Sequence, residues 1–429
     1  MRHGNSVLGL VVVLFGVHVA AAAQGWPEFR GPHGDGRCDA KGLPLTWSET
    51  ENVAWKTPIP FEGWSTPVAM DGQIWLTTAT PDGKDFFVIC VDAATGQIVF
   101  NEMLFHSDNP EPLDNAVNCY ASPSLVMEPG RVYVHFGSYG TACLDTASKL
   151  VVWKRTDLPC RHYRGPGSSP ILFENLLVLT FDGVDVQYTA ALDKATGETV
   201  WKTDRSTVWT DLDENGQPKR EGDFRKAFST PIVVTAGGTA QLVSLGSSAF
   251  FGYDARTGKE LWKLPNTAYS PASRPVYGKG LIYAITGRGG NSELYAVRPD
   301  GQGDLTDAQV AWKFGGPGVP TEPSVLLVDD LLYMVGNNGT LTCLEAGTGT
   351  QVWSERLGGN YLASPICAEG RIYLFSTQGK TTVVKAGRAY EALATNVLDN
   401  GFMASPAVLD KALILRTKTD LYRIEVPQT

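Results

Sequence analysis

The eleven residues Ala191 to Trp201, ALDKATGETVW, hold an alternating strand, a turn built on Asp193, Thr196 and Gly197, and a second strand closed by Trp201. That is a β-hairpin signature: the Asp side chain bonds backbone amides ahead of it, and glycine takes the positive φ the turn needs. The pattern returns as CVDAATGQIVF (Cys90 to Phe100), CLDTASKLVVW (Cys143 to Trp153), GYDARTGKELW (Gly252 to Trp262) and CLEAGTGTQVW (Cys343 to Trp353). A further copy, Ala296 to Trp312, has an enlarged turn, and a degenerate one, VVKAGRAYEAL, runs from Val383 to Leu393. The large ring at the end of a copy reads as a packing wedge against the next repeat. Trp153, Trp201, Trp262, Trp312 and Trp353 take this role, and Trp55 has the same setting.

Two more strands precede each hairpin. The first is marked by a proline, at Pro67, Pro123, Pro170, Pro231, Pro275, Pro323, Pro365 and Pro406, and the second is rich in Leu, Val, Ile and Tyr, as in RVYVHFG from Arg131. Four strands repeated at this spacing predict an all-β, eight-bladed β-propeller. The last unit runs out of chain after three strands, while NVAWKTPIP (Asn52 to Pro60) is a Trp-bearing fourth strand with no blade in front of it. Pairing the two closes the ring and removes its open edges. The expected organisation is a leader at 1–23, a Gly/Pro-rich arm at 24–51 and the propeller at 52–429.

Composition agrees with this. Of 429 residues 46 are Gly and only 19% are charged, which suits many short strands joined by tight turns and argues against a helical bundle or disorder. A formal charge of −9 provides no electrostatic footprint for nucleic acid, nor for an anionic membrane. Arg2 and His3 precede an apolar run from Val7 to Ala20 and then Ala21-Ala22-Ala23, the layout of a secretory leader cleaved after Ala23. No later stretch is long and uncharged enough to span a bilayer, so an exported protein, periplasmic or extracellular in a bacterium, is expected. An uncleaved N-terminal anchor is the alternative. Of the seven cysteines, Cys90, Cys143 and Cys343 occupy the repeat position where other copies have Ala or Gly, so they read as small core residues. Cys119 and Cys160 lie in equivalent loops and are the one candidate disulfide pair.

The eleven-residue pattern resembles the tryptophan-docking motif of the quinoprotein (PQQ-type) eight-bladed propellers, over essentially Asn52 to Thr429. That family includes PQQ-dependent alcohol dehydrogenases and the non-catalytic outer-membrane β-barrel assembly lipoprotein. The opening WPEFRGPHGDG (Trp26 to Gly36) resembles the start of exported bacterial PQQ-like repeat proteins. For a dehydrogenase the resemblance implies PQQ with Ca²⁺, an adjacent cysteine pair, a stacking Trp in the funnel, and Asn/Glu calcium ligands beside a catalytic Asp. This chain has no Cys-Cys pair. For the assembly lipoprotein it implies a docking surface.

Loops between blades, and those between second and third strands, should emerge on one face around the axis, the default binding site. They carry Trp64, Asn118, Tyr120, His162, Tyr163, Arg164, Arg225, Lys226, Phe228, Tyr269, Arg274, Glu322, Tyr361 and Phe402, with Asp182, Asp185 and Arg288. Aromatic rings with Arg and Asp suit a protein or a small polar ligand, anionic or carbohydrate-like. The plainer reading is that these charges pair with one another to order the loops. His162 with Asp182 and Asp185 is the candidate acid/base group, against a loop-ordering hydrogen bond. Asp211, Asp213 and Asn215 open like a calcium loop, but Gly222 stands where the bidentate Glu belongs. The expectation is a binding or scaffold module, with a PQQ-dependent dehydrogenase of alcohols or sugars as the alternative.

Overall fold

A computed structural model describes residues 25–113, 115–289 and 292–427. The leader expected at 1–23 lies outside them. Eight antiparallel blades make an eight-bladed β-propeller. The first blade comprises Val68–Met70, Gln73–Ala79, Asp85–Asp92 and Ile98–His106. The last joins Ala407–Leu409, Ala412–Arg416 and Asp420–Ile424 to Val53–Pro58 from the other end of the chain, with Trp55 opposite Arg423. The ring therefore closes as the unfinished last repeat predicts. No helix of the described residues is long and apolar enough to cross a membrane.

The hairpin chemistry recurs in four of the turns. Oδ1 of Asp193 accepts from the amides of Ala195 and Thr196 at 2.9 and 3.0 Å, and Asp92, Asp145 and Asp254 do the same in their copies. Gly197 has φ +78° and Trp153 of the preceding blade lies across it, so closely that a Cβ would sit 2.6 Å from the ring. The indole N–H of Trp153 donates to Lys194 O, that of Trp55 to Ala93 O, that of Trp312 to Ala346 O and that of Trp353 to Gly387 O, all at 3.0 Å. Each such contact fastens one blade's outer strand to the next blade's turn, burying a large ring while satisfying its only donor.

Trp262 departs from this. The enlarged turn of the next copy lies outside: Gly303–Asp304 runs parallel to the outer strand Glu260–Pro265, making a five-stranded blade. Trp262 folds inward and donates to Gln241 Oε1 at 2.8 Å.

The arm enters the axial channel. Trp26, fully buried, exchanges two backbone bonds with Ala69 of the first blade, at 2.8 and 2.9 Å, and Pro27 O accepts from Met127 of the second. Arg30, 1% exposed, donates to Val325 O at 2.6 Å and Pro365 O at 3.4 Å, and Cys367 N donates to Gly36 O. Burial pulls the Arg30 pKa down to about 9, against the raising effect of the nearby Asp35 charge. The segment thus bridges the innermost strands of several blades and plugs the ring.

All seven cysteines are free thiols. Cys119 Sγ faces Ser122 Oγ at 3.4 Å and Cys160 Sγ faces His162 Nδ1 at 3.7 Å, so the candidate pair is not joined.

Candidate functional site

Two residues before each blade's first strand the chain places Thr66, Ser124, Ser169, Thr230, Arg274, Ser324, Ser364 and Ser405. Backbone amides link these positions from blade to blade. Thr66 N donates to Ser124 Oγ, Ser124 N to Ser169 Oγ and Ser169 N to Thr230 Oγ1, each at 2.9 Å. Arg274 N, Ser324 N and Ser364 N continue onto Ser324, Ser364 and Ser405 at 2.8–3.0 Å. A hydroxyl that accepts one N–H still has its own proton to give. In the one blade without a hydroxyl here, Arg274 takes the place. Its guanidinium holds Phe29 O, pairs with Glu28 at 3.2 Å and reaches Pro231 O, so it anchors the arm.

Above this ring lies a cavity of about 340 Å³ with Phe29 of the arm among its walls. Trp64, Asn118, Arg164, Lys226, Phe228, Tyr269, Arg288 and Glu322 line it, as do six ring hydroxyls: Thr66, Ser124, Ser169, Thr230, Ser364 and Ser405. Sequence reasoning missed Arg220, Asp223 and Asn115, which also line it. The first two sit in the long insertion after Arg205, outside the repeat period, where no spacing signals their position. The ring hydroxyls were missed as well, although the Ser or Thr beside most of the strand-marking prolines is the signal that points to them.

Asp223 gathers three cations: Lys226, then Arg164 and Arg220 at 3.5 Å each. Burial raises the Asp223 pKa, but Lys226, Arg164 and Arg220 outweigh it and the net shift is downward. Lys226 is 2% exposed; burial lowers its pKa, partly countered by Asp223. Glu322 accepts from Arg288, Asn337 and Thr321. The insertion is fixed over the funnel by Phe224 against Tyr269, ring centroids 4.8 Å apart, and by Ser247 Oγ donating to Phe224 O. Arg220 and Glu221 there have φ of 51° and 56°, left-handed values costly for side-chain-bearing residues.

Other candidates lie elsewhere. Tyr120 belongs to an aromatic core with Phe86 and Tyr139 and donates to Glu111 O; Tyr361 and Phe402 are buried. His162 Nε2 accepts from Ser138 N at 3.0 Å, and burial lowers its pKa to about 4. Asp182 does not pair with it: both its oxygens bind buried Arg205, at 2.5 and 2.6 Å. Asp185 Oδ1 accepts from the amides of Arg161 and Val186, a loop-ordering role. Arg225 grips Asp211, with Nη2 to Oδ1 at 2.6 Å, and Asp213 caps the amides of Asn215 and Gln217, so both carboxylates are engaged within their own segment.

The implied calcium-bound quinone does not fit this donor set. Among the described residues no three His, Cys, Asp or Glu side chains gather to hold a metal. Both funnel carboxylates are already bonded to cations.

A family profile described as outer membrane protein assembly factor BamB matches residues 45–207, 130–317 and 290–396. The BamB of Francisella salina is 24% identical over 196 residues, covering 44% of this chain and 31% of that relative, so the match spans about a third of its length. The quinohemoprotein alcohol dehydrogenase from Comamonas testosteroni aligns over 96% of this chain and 83% of its own, with a TM-score of 0.66 and 13% identity. BamB from Moraxella catarrhalis aligns over 86% of this chain and 99% of its own, with a TM-score of 0.53 and 11% identity. At such identities the two structures share the fold with this chain. The repeat, the closed ring and the profile matches together place the chain in the PQQ-type propeller family described by the outer membrane protein assembly factor BamB.

Proposed function

We propose that this chain is a binding module whose axial funnel takes a small polar ligand. The observation that carries it is the half-open cavity of about 340 Å³, walled by charged and aromatic side chains and backed by Phe29 of the arm. Concave sites of roughly 300 Å³ or more, with a few convergent polar groups, are where small molecules bind. The kinship to assembly factors favours a propeller that works by binding, an argument from analogy. The leader expected at residues 1–23 favours a module working in the periplasm or outside the cell.

The dehydrogenase alternative rests on fold similarity, and the described funnel residues lack the donor set for it. A melting-temperature screen tests the reading. Purified protein is heated with neutral sugars, alcohols, amino acids, carboxylates and phosphate esters, and a parallel dye-reduction assay contains PQQ, Ca²⁺ and alcohols. At least one compound class should raise the melting temperature dose-dependently while the dye stays oxidised. Sustained dye reduction, or a flat screen, would overturn the proposal.

A further inference from the structure

We propose that Lys226 is the reactive group of the funnel, an amine placed to capture a small aldehyde as a Schiff base; this rests on the funnel being a ligand site. Lys226 is the one buried lysine among the described residues, 2% exposed, and it belongs to the cavity wall. Its Nζ is bonded to Asp223 and stands 5.9 Å from the Phe228 ring centroid, and both of those residues line the cavity too. Tyr163 covers the amine from another side, with its ring centroid 4.9 Å away. The backbone fixes this position: Ser270 N donates to Lys226 O at 3.0 Å, and Ala227 N to Asp182 O at 3.3 Å.

A lysine in such a setting is a nucleophile. Only the neutral amine attacks a carbonyl, and desolvation disfavours the ammonium. Burial lowers the Lys226 pKa; Asp223 opposes this, and the Arg164 and Arg288 charges add to the lowering. The ion pair itself gains little net stability, because desolvation offsets the attraction. Asp223 instead supplies the proton acceptor that the reaction needs. The Lys226 ammonium passes a proton to Asp223, and the nitrogen lone pair forms a C–N bond at the carbonyl carbon while the C=O π electrons move to oxygen. That oxygen takes the proton back from Asp223, and the nitrogen gives a second proton to the carboxylate. The second proton leaves with the oxygen as water while the nitrogen lone pair forms C=N. Ammonium and aldehyde thus become iminium and water with no change of total charge or oxidation state, so Asp223 still has a cation beside it. Trp64, Leu362 and Met403 supply apolar wall for the body of the aldehyde.

Borohydride trapping tests this on the full chain. The protein is incubated at pH 7 with benzaldehyde or propanal at a few equivalents, and borohydride delivers hydride to the C=N bond to fix the adduct as a secondary amine. Peptide mass spectrometry then compares Lys226 with Lys279 and Lys385, which are 51% and 61% exposed. Lys226 should be modified at least about fivefold faster than either, because a lowered pKa leaves more free amine at pH 7. A272W, which fills the cavity, should slow Lys226 at least about fivefold and leave Lys279 and Lys385 as they were. The parent chain carries the first comparison, so no variant has to fold for it. No adduct at Lys226, or a smaller ratio to the exposed lysines, overturns the Schiff-base inference, and the melting-temperature screen decides the ligand site separately. Equal labelling of Lys226 in A272W would mean that the aldehyde reaches it from outside the funnel, and overturns the inference as well.

Discussion

Trp262 packs over Gly252 of its own hairpin, where a Cβ would lie 2.2 Å from the indole ring. Four counterparts, Trp55, Trp153, Trp201 and Trp312, instead lie across the turn glycine of the following blade, Gly96, Gly197, Gly258 and Gly349. The exception has a cause in the sequence: the copy after Trp262 has the enlarged turn, and the position occupied by Cys or Ala elsewhere is Gly252. Gly252→Ala should therefore cost about 1–3 kcal/mol by overpacking, whereas Cys343→Ala at the equivalent position should cost about 1 kcal/mol. Urea denaturation of both variants measures the contrast, and equal losses would refute this reading of the glycine.

Arg274 stands where the other blades have Ser or Thr. Arg274→Ser should supply the missing hydroxyl while releasing Phe29 O and Glu28. Proteolysis within residues 25–51, followed by mass spectrometry, should speed up several-fold, with a global stability loss of about 1–3 kcal/mol. An arm as resistant as in the parent would show that Arg274 does not anchor it.

His162 and His135 are buried and neutral, with pKa values lowered to about 4 and about 3 by burial. A base depressed on folding binds fewer protons than in the unfolded chain, where it titrates near 6.5. Its stabilising contribution is thus complete above pH 6.5 and is lost as pH falls towards 4. For His162 the loss is on the order of 3 kcal/mol. His162→Gln keeps an acceptor for Ser138 N and should flatten the melting curve between pH 6.5 and 4. An identical pH profile would contradict the assignment.

Ring closure couples the two ends of the chain. Deleting Asp420 to Thr429 removes the strand that pairs with Val53–Pro58 and exposes two edges. Calorimetry should show the whole ring melting at least about 10 °C lower in one transition. Loss of a single blade with the rest unchanged would show that closure is dispensable.

The fold was legible because its rule is local and repeated. Asp, Thr-Gly and Trp at fixed offsets specify each hairpin, and the unfinished last unit points to the strand around Trp55. The cavity was legible in half. Trp64, Arg164, Lys226, Phe228 and Arg288 follow from loop position, but loops also build core, so Tyr120, Tyr361 and Phe402 turned inward. Asp182 illustrates the limit: a carboxylate near a histidine in sequence binds an arginine from the next inter-blade segment, Arg205, through a packing that no spacing encodes. Arg220 and Asp223 escaped because an insertion has no period to place it.

The binding role is tested most directly by filling the funnel. Ala272 is a half-buried residue of the cavity wall, and Ala272→Trp should occupy the space without touching the ring hydroxyls. Calorimetric titration with the best compound of the screen should show one site per chain in the parent and at least about tenfold weaker binding in the variant at unchanged melting temperature. Equal affinity in both would mean that the ligand sits elsewhere and that the funnel is not the site.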